Sequence, residues 1–162
     1  MMNQAERFDR FKVNLNGLYV PKYEALCEYL AEIKYEDGSF WAPYCGIRSA
    51  NEQDFLYAIG RTRDHKARRK TQAQGWESPH NYGCASDWTK FYPDGKARWD
   101  HEFWVDYING CQQIGLVCGA TWKMVDKPHN ELKIGLTWAE LKPVVLSQGS
   151  SAAFALIKAA VK

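Results

Sequence analysis

One domain of helices mixed with short strands is what the sequence predicts, and three observations carry that reading. The chain has 162 residues, a length that suits one domain and buries roughly two thirds of the unfolded surface. Helical periodicity and capping signals recur at 21–33, 49–60, 99–114 and beyond 137. Between them lie short runs of strand length, at 40–47, 84–88 and 116–118. No internal repeat, low-complexity linker or second domain interrupts the pattern.

The elements follow in order. Pro21 to about Ile33 reads as a helix, because Tyr23, Leu26, Cys27 and Leu30 recur at helical spacing and Pro suits a first helical position. Asp37-Gly38 marks a turn, and the aromatic run Phe40 to Ile47 reads as a strand. Ser49 and Glu52 then fit a capping box, with Phe55, Leu56 and Ile59 as the apolar face and Gly60 as the stop. Arg48 therefore stands at a strand-to-helix junction, a place where functional side chains are pinned. The segment RTRDHKARRK, 61–70, packs six Lys and Arg into ten residues; it reads as a solvated loop or as an electrostatic handle for an anionic polymer. Trp99 to Ile114 gives the strongest helical signal, with Trp99, Phe103, Trp104, Tyr107, Ile108, Cys111 and Ile114 on one face and Gly115 as its end. Leu116 to Cys118 is a short strand, and Lys133 to Leu136 is extended. Thr137 and Glu140 offer a second capping box, and the Ala-rich tail SSAAFALIKAAVK forms a helix that closes the core.

Composition excludes several classes. A net charge of +2 is too small to argue for nucleic acid. No run approaches the roughly 20 apolar residues of a membrane span. The polar start MMNQAERFDR lacks a signal-peptide core, so the expectation is synthesis in the cytosol and export by another route. Five cysteines, an odd number without a CxxC, read as reduced and mostly buried thiols. Seven Trp and nine Tyr supply core, and they also suit a site that grips partly apolar ligands.

The chemistry concentrates in SPHNYGCASDW, 78–88, where His80 and Asp87 lie seven residues apart. Pro79 and the Asn81-Tyr82-Gly83 turn argue against a helix there. A turn leading into a short strand folds His80 back toward Asp87, with Gly83 supplying backbone freedom. The candidate third arm is His129, within WKMVDKPHNEL. Two imidazoles and a carboxylate leave one position of a tetrahedral zinc open, the catalytic pattern. A second carboxylate that does not bind the metal takes the proton of a water whose pKa the metal lowers to about 7. Asp126 is the candidate for that base, with Glu131 in reserve. From spacing alone such a set is a weak signal, and ordinary hydrogen-bonded residues are the favoured reading, as they are for His65 and His101.

Three blocks add a resemblance. SPHNYGCASD resembles the SxHxxGxAxD motif of the VanY-type zinc D-Ala-D-Ala peptidases. DKPH resembles their DxxH element, with Trp122 where a Trp usually precedes it. GIRSANEQDFLYAIGRT is similar to the YRSxxxQxxLYAxGRT segment of phage endolysins in that group. The blocks stand in the family's order over about residues 45–131. The resemblance implies zinc ligands His80, Asp87 and His129, a general base at Asp126 and a transition-state cation at Arg48. It also implies an α+β fold of the hedgehog/DD-peptidase-like kind, a small antiparallel sheet carrying the zinc site and packed by helices. Departures are Ile47 for the usual tyrosine, Asn130 where an aromatic is common, and Cys84 inside the metal motif. As a fourth ligand, Cys84 would close the site. Ser78 is read as a support residue near His80, and Gln53 either as a prop for Arg48 or substrate or as a solvated helical residue. The expected function is a monomeric, single-domain L-alanyl-D-glutamate endopeptidase of the endolysin type. Its partner is bacterial peptidoglycan, with no nucleic acid and no stable membrane insertion. Two alternatives stand beside it, a D-Ala-D-Ala carboxypeptidase of the same family and a metal-bearing module that binds the wall without cutting.

Overall fold

The computed structural model describes residues 2–99 and 104–161. Helices α1 (Gln4–Lys12) and α2 (Val20–Glu32) come first, then strand β1 (Phe40–Cys45) and helix α3 (Ala50–Ala58). A 3-10 turn (Pro79–Tyr82) leads into β2 (Ala85–Phe91), which a hairpin joins to β3 (Ala97–Arg98). Helix α4 (Trp104–Ile114), β4 (Val117–Cys118), a second 3-10 turn (Gly119–Thr121) and β5 (His129–Glu131) follow, and α5 (Trp138–Gln148) and α6 (Ser150–Ala160) end the chain. The architecture is the expected α+β fold with a small antiparallel sheet. Its strand order is β1-β2-β5-β4, with β3 also paired to β2.

The core explains why the sheet has two unlike faces. Trp88 of β2 meets Phe8, Tyr23 and Tyr107, from α1, α2 and α4, so those helices cover its face. Trp41 of β1 joins the same layer, stacked on Tyr107 at 5.4 Å and edge-on to Trp104. Successive strand residues point to opposite faces, so Asp87, next to Trp88, projects from the other side. β1 then breaks step: Pro43 pairs with Trp88 and Cys45 with Asp87, and the register shifts between them. Such a bulge re-aims a strand. It brings Cys45, and Arg48 just beyond it, to the face that carries Asp87.

Several expectations change. The first strand ends at Cys45 rather than Ile47. Trp99 lies outside α4 and is 46% exposed, packed edge-on against Tyr44; Phe103 and His101 lie outside the described residues. Helix α3 buries Gln53, while Phe55, expected on its apolar face, is 47% exposed. Lys133–Leu136 is not a strand, because the extended segment comes earlier and contains His129 itself; only Ile134 makes an isolated bridge, to Val161. Helix α1 is additional to the expected elements; an Asn3–Glu6 capping box opens it, and it buries no residue fully, packing Phe8 and Phe11 at the edge of the core. Among the described residues no helix is long and apolar enough to cross a membrane.

Trp41 is fully buried, and its Nε1–H donates to Tyr35 Oη at 2.9 Å. Trp41→Ala should therefore destabilise the fold by about 3–5 kcal/mol in chemical denaturation. A loss below about 1 kcal/mol would place the energetic centre of the core elsewhere.

Candidate active site

β2 and β5 pair in a register that sets Asp87 opposite His129, Ser86 opposite Asn130 and Ala85 opposite Glu131. His129 and Glu131 therefore share the face of Asp87, while Asn130 and Ser86 turn toward the helices. His80 arrives from the 3-10 turn before β2. Gly83 closes that turn at φ +66°, where a Cβ would stand 2.8 Å from Asn16 N, so the turn requires glycine.

Three donor atoms converge. His80 Nε2 and His129 Nδ1 each lie 3.2 Å from Asp87 Oδ1, and 3.2 Å from each other. The far nitrogens fix both tautomers. His80 Nδ1 is 2.6 Å from the Gly46 carbonyl, and His129 Nε2 is 2.9 Å from Glu131 Oε2. Both partners can only accept, so each far nitrogen carries the hydrogen and the near nitrogens turn lone pairs toward Asp87. Such a triangle holds together only around a cation. A tetrahedral zinc with bonds near 2.1 Å needs donors about 3.4 Å apart, so the donor set fits that ion. A proton is the other cation that serves. Burial opposes charge on His129, but its bonds to Asp87 and Glu131 prevail and push its pKa up to about 10. Burial likewise works against the charge on Asp87, and the two histidines hold its pKa well below the usual carboxylate range.

Around this cluster the other residues have distinct places. Glu131 is not free to act as a base: one oxygen orients His129 and the other accepts Trp138 Nε1–H at 3.0 Å. A carboxylate behind a ligating histidine is a familiar orienting device. Asp126 is exposed, and its carboxylate makes no hydrogen bond among the described residues. Although the residue is exposed overall, partial desolvation of its carboxylate and the charge of Asp87 raise its pKa, against the opposing pull of His129, His80 and Arg48. Its backbone is fixed, with N–H donating to Gly119 O at 3.0 Å and C=O accepting from His129 N at 3.2 Å.

Arg48 is tied to the His80 turn twice: its N–H donates to His80 O at 3.1 Å, and its carbonyl accepts from Asn81 Nδ2 at 2.9 Å. Its guanidinium donates to Gln53 Oε1 at 2.8 Å and reaches Cys45 Sγ at 3.4 Å and Asp87 Oδ2 at 3.5 Å. Of the two readings of Gln53, the structure selects the prop for Arg48. Ser78 is buried and supports the turn through its carbonyl, which accepts from Asn81 N at 3.0 Å.

Cys84, the cysteine inside the motif, does not reach the site. Cys84 points into the core, donates to Tyr82 O at 3.5 Å, and has its thiol pushed up to about 12 by burial. Cys45 is the one beside the site, its sulfur forming with His80 and Asp87 a set of possible metal donors within 4.8 Å of one another. No motif marks it; only the bulge opposite Asp87 does. Asn130, which stands where the resembling family commonly has an aromatic, is fully buried on the helix side, away from the face of Asp87. Ile47 is half exposed and lines a surface groove with Leu15, Tyr82 and Phe154.

Comparison with known proteins adds three findings. No family model matches the chain. A stretch of 97 residues is 38% identical to the peptidoglycan L-alanyl-D-glutamate endopeptidase CwlK of Bacillus subtilis strain 168, covering 54% of this chain and 57% of that protein. The chain thus spans little more than half the length of that relative. The crystal structure of Serratia marcescens L-Ala D-Glu endopeptidase ChiX shares the fold, with a TM-score of 0.52, 19% identity, and coverage of 78% of this chain and 86% of that one.

Gly119 explains how Asp126 is brought so near His129. A Cβ there would stand 2.4 Å from Asp126 O and 3.1 Å from His129 Cβ. Gly119→Ala should cost about 1–3 kcal/mol of stability and shift the His129 imidazole resonances in NMR. Unchanged resonances would show that this loop can relax without moving the site.

Proposed function

We propose that this chain is a zinc-dependent peptidase of bacterial peptidoglycan that hydrolyses the stem peptide between L-Ala and D-Glu. The observation that carries the reading is the convergence of His80 Nε2, His129 Nδ1 and Asp87 Oδ1 at 3.2 Å. Asp126 beside them, its carboxylate without a hydrogen bond among the described residues, completes the set. The named activity of the Bacillus relative supports the choice of bond, and the ChiX likeness supports the fold beneath it. The resemblance of 46–62 to endolysin sequences favours a lytic role.

In this reading His80, Asp87 and His129 hold the zinc. When bound, the metal polarises the scissile carbonyl and acidifies a water molecule. The remaining work falls to the chain. Asp126 accepts the water's proton and returns it to the leaving amine, a task that its raised pKa suits. Arg48 presents a planar guanidinium, clamped by Gln53, to the oxygen that gains negative charge. Glu131 keeps His129 in the tautomer that offers Nδ1.

Two measurements test the parts. Purified protein should contain one zinc per chain, and His129→Ala should lose it along with some thermal stability, since metal binding feeds folding free energy. Full zinc occupancy in that variant would sink the ligand assignment.

Asp126→Asn should retain zinc and fold while turnover of purified peptidoglycan falls on the order of 10²-fold or more. Fragment masses from the wild type identify the bond. New N-terminal D-Glu supports the endopeptidase, whereas free D-Ala alone would replace it with a carboxypeptidase.

A further inference from the structure

The proposed chemistry leaves the basic segment 61–70 without a role. It holds six of the chain's 21 Lys and Arg and one of its 19 Asp and Glu, so it carries +5 while the rest of the chain carries −3. Arg63, Lys66, Arg68, Arg69 and Lys70 are all exposed. Among the described residues, the side chains of Lys66, Arg68, Arg69 and Lys70 meet no carboxylate.

A run of like charges would ordinarily extend into solvent. Here it is folded and fastened. Gly60, at φ +72°, lets the chain double back so closely that a Cβ would stand 2.5 Å from Ala67 O. Gly60 N donates to Arg63 O at 2.8 Å, and the Arg63 guanidinium lies over the Phe55 ring at 4.4 Å. Arg61 donates to Tyr57 O at 2.6 Å, Thr71 O at 3.0 Å and Gln72 Oε1 at 2.7 Å. The far end is held by Gln53, whose Nε2 donates to Thr71 Oγ1 at 3.2 Å and Ala73 O at 2.9 Å. That same amide accepts from Arg48. The loop is thus a fixed array of cations, attached through one side chain to the residue proposed to face the reacting carbonyl.

We propose that residues 63–70 are a docking surface for the carboxylate-bearing stem peptides that neighbour the one being cut. The proposal rests on the peptidase reading above and names what holds that enzyme on its polymer. Any stem that contains D-Glu and ends freely carries at least two carboxylates, so a wall of repeated stems is a polyanion of point carboxylates. Three of the five exposed cations are arginines, whose forked guanidinium matches a carboxylate. The opposite sign over the rest of the chain orients the encounter, because the loop is drawn to the wall while the remainder is not.

Co-sedimentation with insoluble peptidoglycan tests this, using the Asp126→Asn chain to suppress cutting. Adding Arg68→Gln, Arg69→Gln and Lys70→Gln should weaken binding about tenfold at low ionic strength, since each exposed ion pair contributes modestly and three are removed. The difference should vanish near 1 M salt, where the screening length falls to about 3 Å. Amidating the wall's carboxylates should lower binding of the unmodified loop to the triple variant's level, and stripping phosphodiester polymers from the wall should change nothing. With Asp126 intact, the triple variant should cut a small soluble muropeptide at the normal rate. Unchanged binding of the triple variant overturns the proposal, as does binding that survives amidation but is lost with the phosphodiester polymers. Equal losses on wall and soluble fragment also overturn it, by placing the loop inside the cutting site. Loop-dependent binding by a chain that cuts no peptidoglycan would instead overturn the peptidase reading and leave the surface standing.

Discussion

The register of β2 against β5 is the constraint on which the site depends. A slip of one residue would turn either Asp87 or His129 to the helix side and dissolve the donor triangle. The strands pair over only three residues, Ala85–Asp87 with His129–Glu131, which is little backbone bonding to fix a register. The side chains behind the sheet supply the rest. Tyr19 Oη–H donates to Asn130 Oδ1, and Ser86 Oγ lies 2.6 Å from Tyr19 Oη. Trp88 Nε1 donates to Ser86 Oγ at 2.7 Å. Asn130 Nδ2 donates to Tyr107 Oη at 2.7 Å, and Tyr107 Oη–H donates to Pro128 O at 2.6 Å. The protons can be assigned without conflict: Tyr19 gives its one to Asn130, so Ser86 gives its own to Tyr19. Burial raises both tyrosines well above their ordinary pKa, which keeps them neutral donors. A buried network whose members are all satisfied specifies one arrangement, and this one joins the facing pair Ser86 and Asn130.

With the back of the sheet locked, its front can tolerate what would otherwise be unstable. Two imidazole lone pairs and a carboxylate oxygen at 3.2 Å repel one another unless a cation joins them. The aromatic layer of Trp41, Trp88, Trp104 and Tyr107 lies on the opposite face, so the apolar core and the polar site occupy separate sides of one sheet. The bulge between Pro43 and Cys45 links the two sides. Before it, β1 contributes Trp41 to the core; after it, the same chain delivers Cys45 and Arg48 to the front. One irregularity in one strand thus lets a single segment serve both stability and the site.

What the sequence revealed and what it hid divide along that line. Placement governed by a local motif was legible. His80, Asp87 and His129 meet as expected, Gly60 and Gly83 take the positive φ their turns require, and Ser49 and Glu52 form their reciprocal cap. Features that depend on how distant segments meet were not. Cys45 comes to the site only because a bulge shifts its register. Helix α3 turns Gln53 rather than Phe55 inward because it packs on the polar loop 71–75. There Gln53 serves Thr71 and Ala73, and Asp54 Oδ1 accepts from Gly75 N at 2.7 Å. Strand β5 escaped notice because His-Asn-Glu has no strand-like apolar alternation. Its polar side chains are tolerated since each has a designated partner.

Those partners also separate Asp126 from every other acid near the site. Glu131 spends both oxygens, on His129 and on Trp138. Asp87 is engaged by two histidines and by Arg48. The two histidines hold Asp87 well below the usual carboxylate range, so it has little affinity left for a proton in transit. Asp126 has its backbone fixed by Gly119 and His129, yet its carboxylate is given no donor among the described residues, and Asp87 nearby makes its charged form less favourable. Position without satisfaction is what proton transfer asks of a side chain. The distribution of hydrogen bonds around β5 therefore distinguishes the proposed base from Glu131, although both lie within three residues of His129 in the sequence.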